Sequence, residues 1–138
     1  MDPERIESLK AGGVAALTGA GVSALLVTLH PNLLPPNTLS AGLLRIAVAT
    51  VCAFLFGVTY RYIVRNDSNP HLRSGAVGAF ALTRSLGQLE GISPADLVLS
   101  DALPLALPII ESFGLFMCLR LILDWGLQQQ WFRPFESD

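Results

Sequence analysis

Five ionisable residues lie inside long apolar stretches of this chain: Arg45, Arg84, Glu111, Arg120 and Asp124. Charged side chains are costly in hydrocarbon, so they usually face protein, water or one another, and they often mark ion or proton pathways. Counting along the apolar stretches places Arg45, Arg84 and Glu111 at similar depth, in the same half of a bilayer. We therefore predict that these three residues form one buried charge cluster, with Glu111 paired to Arg45 and with Arg84 as a second partner.

Such a cluster has several chemical uses. Pairing that fixes the register of the helices is the preferred interpretation, while an anion or proton pathway and contact with a cofactor stay open. Arg120 and Asp124 are four residues apart near the end of an apolar stretch, so an i,i+4 pair or snorkelling explains them without a special role.

Catalytic and metal-binding patterns are missing from the sequence. It contains no nucleotide-binding loop, zinc signature, nucleophile elbow or haem-attachment pattern. The two histidines, His30 and His71, fall at opposite ends of the predicted spans, so they are not expected to share a metal ion. We predict a non-enzymatic protein with no catalytic residue and no metal site, and its cofactors are unknown.

The overall composition indicates the environment in which these residues lie. The chain has 138 residues and only 14% charged residues, against roughly 25% in an ordinary soluble domain, and its mean hydropathy is +0.52. A soluble protein of this size needs many charges to cover its surface. The formal net charge of -2 gives no basic footprint for nucleic acid. We expect a single integral membrane domain over residues 1–138, with the lipid bilayer as its environment.

The apolar stretches predict an all-α, polytopic membrane helical bundle with about four transmembrane helices. The spans are expected at 11–29, 39–60, 74–89 and 103–125, by length and turn signals. The apolar part of the third, 75–89 with Arg84 inside it, is only fifteen residues long, so a re-entrant or interfacial position is its alternative. Shorter features are a charged helix at 2–10 with a hinge at Gly12-Gly13, a short interfacial helix from Ser93 to about Ser100, and an aromatic tail at 128–135 in the membrane interface.

Small residues recur at four-residue spacing in the first span: Ala11, Ala15, Gly19 and Ser23 on one face, and Gly12, Ala16, Ala20 and Ala24 on the next. Small side chains let membrane helices approach closely, so Gly19 and Ala20 are predicted at helix contacts. Cys52 and Cys118 lie within apolar stretches, and we predict helix-packing roles for both.

The basic residues predict the orientation in the membrane. With four spans, one side carries Arg5, Lys10, Arg61, Arg65, Arg73 and Arg133, whereas the opposite connections carry Glu90, Asp96 and Asp101. The positive-inside rule then places both termini in the cytoplasm. In the same pattern, Tyr60-Arg61-Tyr62 is typical of an anchor at the membrane interface.

The run FGVTYRYIVRNDSNPHLRSGAVGAFALTRSLGQLEG, from Phe56 to Gly91, resembles a family of small membrane proteins of cyanobacteria that has relatives in the chloroplast inner membrane. The resemblance covers about a quarter of the chain and rests mainly on the Tyr-Arg-Tyr turn and the following helix. It implies a photosynthetic organism and a thylakoid, plasma-membrane or inner-membrane setting. It supplies no catalytic motif.

Two functions follow from these patterns. The first is a non-enzymatic integral membrane subunit or assembly factor of a larger, photosynthetic membrane complex. The alternative is a small homo-oligomeric transporter or channel that uses the buried Arg and Glu residues. The surroundings of the Arg45, Arg84 and Glu111 side chains discriminate between these two functions. Charges that contact one another favour the structural subunit, whereas charges that line a water-filled cavity favour the transporter.

Overall fold

A computed structural model describes residues 2–29, 38–64, 69–91, 93 and 102–135. Within these ranges the chain forms four α-helices and no strand: α1 (Pro3–Leu29), α2 (Leu39–Ile63), α3 (Pro70–Leu89) and α4 (Ala102–Gln128). The all-helical prediction is confirmed. Three segments, Pro3–Leu29, Leu39–Ile63 and Leu105–Gln128, are long and apolar enough to cross a membrane. This is compatible with an integral membrane location.

Local sequence explains where the helices start. The Thr38 hydroxyl accepts a hydrogen bond from the Ala41 backbone N–H at the start of α2. The Asn69 side chain does the same for His71 at the start of α3, where Pro70 occupies the first turn. These are the usual residue types at helix N-termini. The Asn69 cap places the start of α3 at Pro70, four residues before the start of the predicted span 74–89.

The expected hinge in the first helix is not present. Helix α1 runs without a break from Pro3 through Gly12 and Gly13 to Leu29, so the charged segment 2–10 continues the apolar helix. A Cβ atom on Gly12 would lie 2.7 Å from the Phe54 ring. The glycine therefore serves close packing against α2 and does not interrupt the helix.

Helices α1 and α2 form a closely packed antiparallel pair. The predicted small face of α1, Ala11, Ala15, Gly19 and Ser23, is buried throughout. On the facing side of α2, a Cβ atom on Gly57 would lie 2.6 Å from the Ala11 carbonyl oxygen and from Ala15 Cβ. Only glycine allows the two backbones to approach so closely.

Helix α3 lies antiparallel to α4 along its whole length. Arg73, near the start of α3, contacts Asp124 near the end of α4, whereas Arg84, near the end of α3, contacts Glu111 in the first half of α4. Both pairs α1–α2 and α3–α4 pack into one bundle, in which α2 contacts all three other helices. Large apolar side chains such as Leu17, Leu44 and Leu121 point away from the bundle, as expected of surfaces that meet lipid.

The tail, 129–135, packs on the bundle, and its predicted position in the membrane interface stays a prediction. Residues 129–135 are not helical, and Phe132 is buried beside Gly126. The tail therefore folds back on the bundle, because a large aromatic ring gains more by packing in the core than by lying at its edge. The predicted interfacial helix is not confirmed, since residues 94–100 lie outside the described residues.

Candidate functional site

The three charges singled out from the sequence lie together between α2, α3 and α4. Arg45 Nη2 forms an ion pair with Glu111 Oε2, and Arg84 Nη2 lies 3.2 Å from Glu111 Oε1. One carboxylate thus accepts from two guanidinium groups, one on each of its oxygens. The Glu111 side chain is 7% exposed and that of Arg84 3% exposed, so this is a charge pair taken almost fully out of solvent.

Two polar neighbours complete what we call the Glu111 cluster: Arg45, Arg84, Gln88, Glu111 and Ser112. Arg84 Nη1 donates to the Ser112 hydroxyl at 3.1 Å. With the Gln88 amide oxygen turned toward Arg84, it accepts from the guanidinium at 2.8 and 3.2 Å. Buried charges are tolerated when their hydrogen-bonding groups find partners. These contacts give Arg84 a structural reason to be buried.

A second set of charges, the Asp124 cluster, lies near the opposite end of α3 and α4. It consists of Tyr60, Arg73, Ser74, Arg120 and Asp124. Asp124 Oδ1 accepts from the Tyr60 hydroxyl at 2.7 Å and from Arg73 at 3.2 Å. Arg120 lies 3.7 Å from Asp124 Oδ2, in the predicted i,i+4 pair, and donates to the Ser74 hydroxyl. Asp124 therefore does more than pair within its own helix, because it also ties α2 and α3 to α4.

Arg61 connects the two terminal segments of the chain. Its side chain is fully buried, and it pairs with Glu4, donates to the Ser8 hydroxyl at 2.7 Å and donates to the Arg133 carbonyl oxygen at 2.8 Å. A planar guanidinium spreads five donors over three nitrogens and can reach acceptors on different sides, whereas a lysine ammonium has three donors on one nitrogen. The start of α1, the end of α2 and the tail therefore meet at one end of the bundle.

An aromatic layer separates the Glu111 cluster from the Asp124 cluster. The rings of Phe56, Phe80 and Phe116, one each from α2, α3 and α4, lie with centroids 5.2 to 5.7 Å apart. Along α4, Phe116 follows Glu111 by five positions, and Asp124 follows Phe116 by eight. The two polar clusters are thus divided by packed apolar side chains within the chain.

The four residues predicted to pack helices differ in how deeply the structure buries them. Gly19 is buried against Ala53 of α2, and Ala20 is half-buried. Cys52 is partly buried against the core, but Cys118 is exposed, so its predicted packing role is wrong within this chain. The inward face of α4 follows Ser112, Leu115, Phe116, Leu119 and Leu123, which turns Gly114 and Cys118 outward.

Tyr60 and Arg61 have roles inside the bundle that the sequence did not predict. They were predicted as an interface anchor, yet both are buried, and only Tyr62 of the three is exposed. An arginine near a helix end is usually a snorkelling residue, which explains the error. The available signal was the pair Glu4 and Ser8, which share one face of α1 and offer acceptors to a facing cation.

Comparisons with protein-family models, curated proteins and solved structures return no match for this chain.

Proposed function

We propose that this chain is a non-enzymatic integral membrane subunit or assembly factor of a larger membrane complex, and that its embedded charges serve structure. One observation carries the proposal: Arg45, Arg84 and Glu111 close on one another inside a single chain. Charges used for transport would be expected to face a water-filled path. Here the Glu111 carboxylate is paired with two arginines and is almost fully buried.

The proposal includes a membrane-spanning position for α3, although α3 is less apolar than the other helices. Its 20 residues extend about 30 Å, which matches the hydrocarbon thickness. Arg73 and Arg84 both turn toward α4 and find acidic partners there. Helix α3 thus presents its charges to protein and not to lipid, which lowers the cost of insertion.

We further propose that both termini lie on the cytoplasmic side. The support is twofold: the contacts of Arg61 and Arg133 bring the start of α1 and the tail to one end of the bundle, and that end carries most of the basic residues. The positive-inside rule assigns such an end to the cytoplasm.

A partner helix is the occupant that best fits the outward face of α3. The small faces of α1 are largely used inside the chain, against α2. On α3, however, Gly75, Ala79, Thr83 and Gly87 recur at four-residue spacing and are all exposed, and added Cβ atoms on Gly75 and Gly87 would meet nothing within 4 Å. Small residues favour helix–helix packing over lipid contact.

The alternative of a small homo-oligomeric transporter or channel has weaker support. A path through one chain would have to cross the aromatic layer of Phe56, Phe80 and Phe116. The resemblance of residues 56–91 to small cyanobacterial and chloroplast membrane proteins favours a photosynthetic complex, in a thylakoid or plasma membrane. That setting is part of the proposal.

Native mass analysis after gentle detergent extraction tests this function. A tagged chain should travel with other membrane proteins, and Ala79→Leu on the outward face of α3 should release it while leaving its unfolding temperature unchanged. Val51→Leu, on the exposed face of α2, is the matched control and should stay in the complex. A chain that travels alone would contradict the proposal, and a chain that travels only with its own copies would favour the transporter.

A further inference from the structure

The Glu111 cluster carries more positive than negative charge. Two guanidinium groups, those of Arg45 and Arg84, share the single carboxylate of Glu111 among the described residues. Two of their donors are also unused: the Nε atoms of Arg45 and Arg84 are buried and meet no acceptor in the described part of the chain. Unbalanced charge and unpaired donors are costly inside a protein, so a further anion at the Glu111 cluster would be stabilised.

Arg45 is the group through which an anion could reach this cluster. Its side chain is 20% exposed, whereas that of Arg84 is only 3% exposed. Its neighbours Leu44 and Val48 are exposed apolar residues, so the accessible side of Arg45 belongs to a surface suited to lipid. Arg45 follows the start of α2 by six residues, or about 9 Å along the helix, which is within snorkelling distance of a headgroup.

We propose that the Glu111 cluster binds the phosphate group of an anionic lipid, in the leaflet that contains the N-terminal end of α2. A phosphodiester oxygen would accept from the guanidinium donors of Arg45 that Glu111 leaves free, and its charge would balance the second arginine. Arginine binds phosphate with two parallel hydrogen bonds where geometry allows. The apolar surface beside Arg45 favours a lipid over a soluble phosphate, because it would meet the acyl chains.

This inference rests on insertion of the bundle in a membrane but not on its role as a subunit. Failure of lipid binding would leave the proposed function standing, and a chain without protein partners could still bind lipid. A competing source of negative charge exists in the chain itself, since Asp96 and Asp101 belong to the connection between α3 and α4, outside the described residues. The experiment must therefore separate an external phosphate from an internal carboxylate.

The test compares two variants that remove one arginine from each charge cluster. Arg45→Met leaves Arg84 and Glu111 as a balanced pair, and Arg120→Met leaves Arg73 and Asp124 as a balanced pair. The delipidated full chain is titrated in detergent with phosphatidylglycerol, with phosphatidylcholine and with inorganic phosphate, and bound lipid is counted by native mass spectrometry. The wild type should retain phosphatidylglycerol, Arg45→Met should bind it about tenfold more weakly, and Arg120→Met should bind it as the wild type does.

Several results would overturn the proposal. Equal binding by the wild type and Arg45→Met would remove Arg45 from the site, and equal loss in both variants would show a general charge effect. Displacement of the lipid by equimolar inorganic phosphate would assign the site to a soluble anion. Binding that emerges only in an Asp96→Asn, Asp101→Asn double variant would show that the chain neutralises itself. If Arg45→Met does not fold, Arg45→Lys keeps the charge and should still weaken binding, because it loses the planar pair of donors.

Discussion

At the scale of single residues, the shared carboxylate of Glu111 predicts unequal effects of removing its partners. Glu111→Gln would leave the buried Arg84 and the partly buried Arg45 without their carboxylate partner, whereas Arg45→Met would leave the neutral Arg84–Glu111 pair. We expect a loss of about 3 kcal/mol for the first and a smaller loss for the second, since breaking a buried pair strands a charge. Unfolding of each variant in mixed detergent and denaturant measures the two free energies.

The double variant gives the interaction between Arg45 and Glu111. Removal of both should cost less than the sum of the two single losses, because one of the two arginines that Glu111→Gln strands is then gone. Arg5→Met is a control, as Arg5 is exposed and, among the described residues, pairs with Asp2 three positions before it. Additive losses for Arg45 and Glu111 would show that their contact contributes nothing to stability.

Arg61 is expected to tolerate no replacement by lysine. Arg61→Lys keeps the charge but cannot reach Glu4, Ser8 and the Arg133 carbonyl oxygen together, so the unfolding free energy should fall by about 2 kcal/mol. Release of the tail would also move Trp131 away from Trp125, whose rings are 4.8 Å apart, and change the tryptophan fluorescence. Unaltered stability together with unaltered fluorescence would refute this role.

The contacts of some of these residues can be predicted from the sequence, and those of others cannot. Arg45, Arg84 and Glu111 could be found because a charge in an apolar stretch needs a partner and their depths agree. Arg61 could not be distinguished from a snorkelling arginine, since its acceptors lie on α1 and on the tail, far away in sequence. The packing role of Cys118 was predicted from its position within an apolar stretch, and such a position does not decide which side of α4 faces the core.

At the scale of the helices, the α1–α2 contact predicts a sharp difference between two nearby glycines. Gly19 is buried against Ala53, whereas an added Cβ atom on Gly21 would meet nothing within 4 Å. Gly19→Leu should separate the helices and cost about 3 kcal/mol, as overpacking of a close contact does. Gly21→Leu carries the same change in size on the exposed face and should leave stability close to that of the wild type. Thermal unfolding in detergent compares them, and equal stabilities would mean that the small face of α1 is not a close contact.

Helix positions were predicted better than helix ends. The apolar stretches 11–29, 39–60, 74–89 and 103–125 all lie within the observed helices, because long apolar runs have few alternatives to helix in lipid. The ends moved outward where charged residues continue the helix. Glu4 and Glu7 extend α1, and Arg73 belongs to α3, because each finds a partner on another element. A hydropathy window averages over neighbouring residues, so it does not register such contacts between distant segments.

At the scale of the whole molecule, the two charge clusters give α3, a helix of modest apolarity, acidic partners on α4 at two points along its length. Arg73 contacts Asp124 at one end of α3 and Arg84 contacts Glu111 toward the other. Between them, Phe80 packs on Phe56 and Phe116. We propose that these contacts hold α3 across the membrane beside α4, with its charges turned inward.

The side of the membrane on which each terminus lies tests this claim most directly. Reporter fusions before Met1 and after Asp138, one active only in the cytoplasm and one only outside it, measure the two positions in intact cells. An even number of spans, with α3 inserted, places both termini on one side, and the positive-inside rule predicts that both report the cytoplasm. Termini that report opposite sides would mean that only three helices cross, and that α3 lies outside the bilayer.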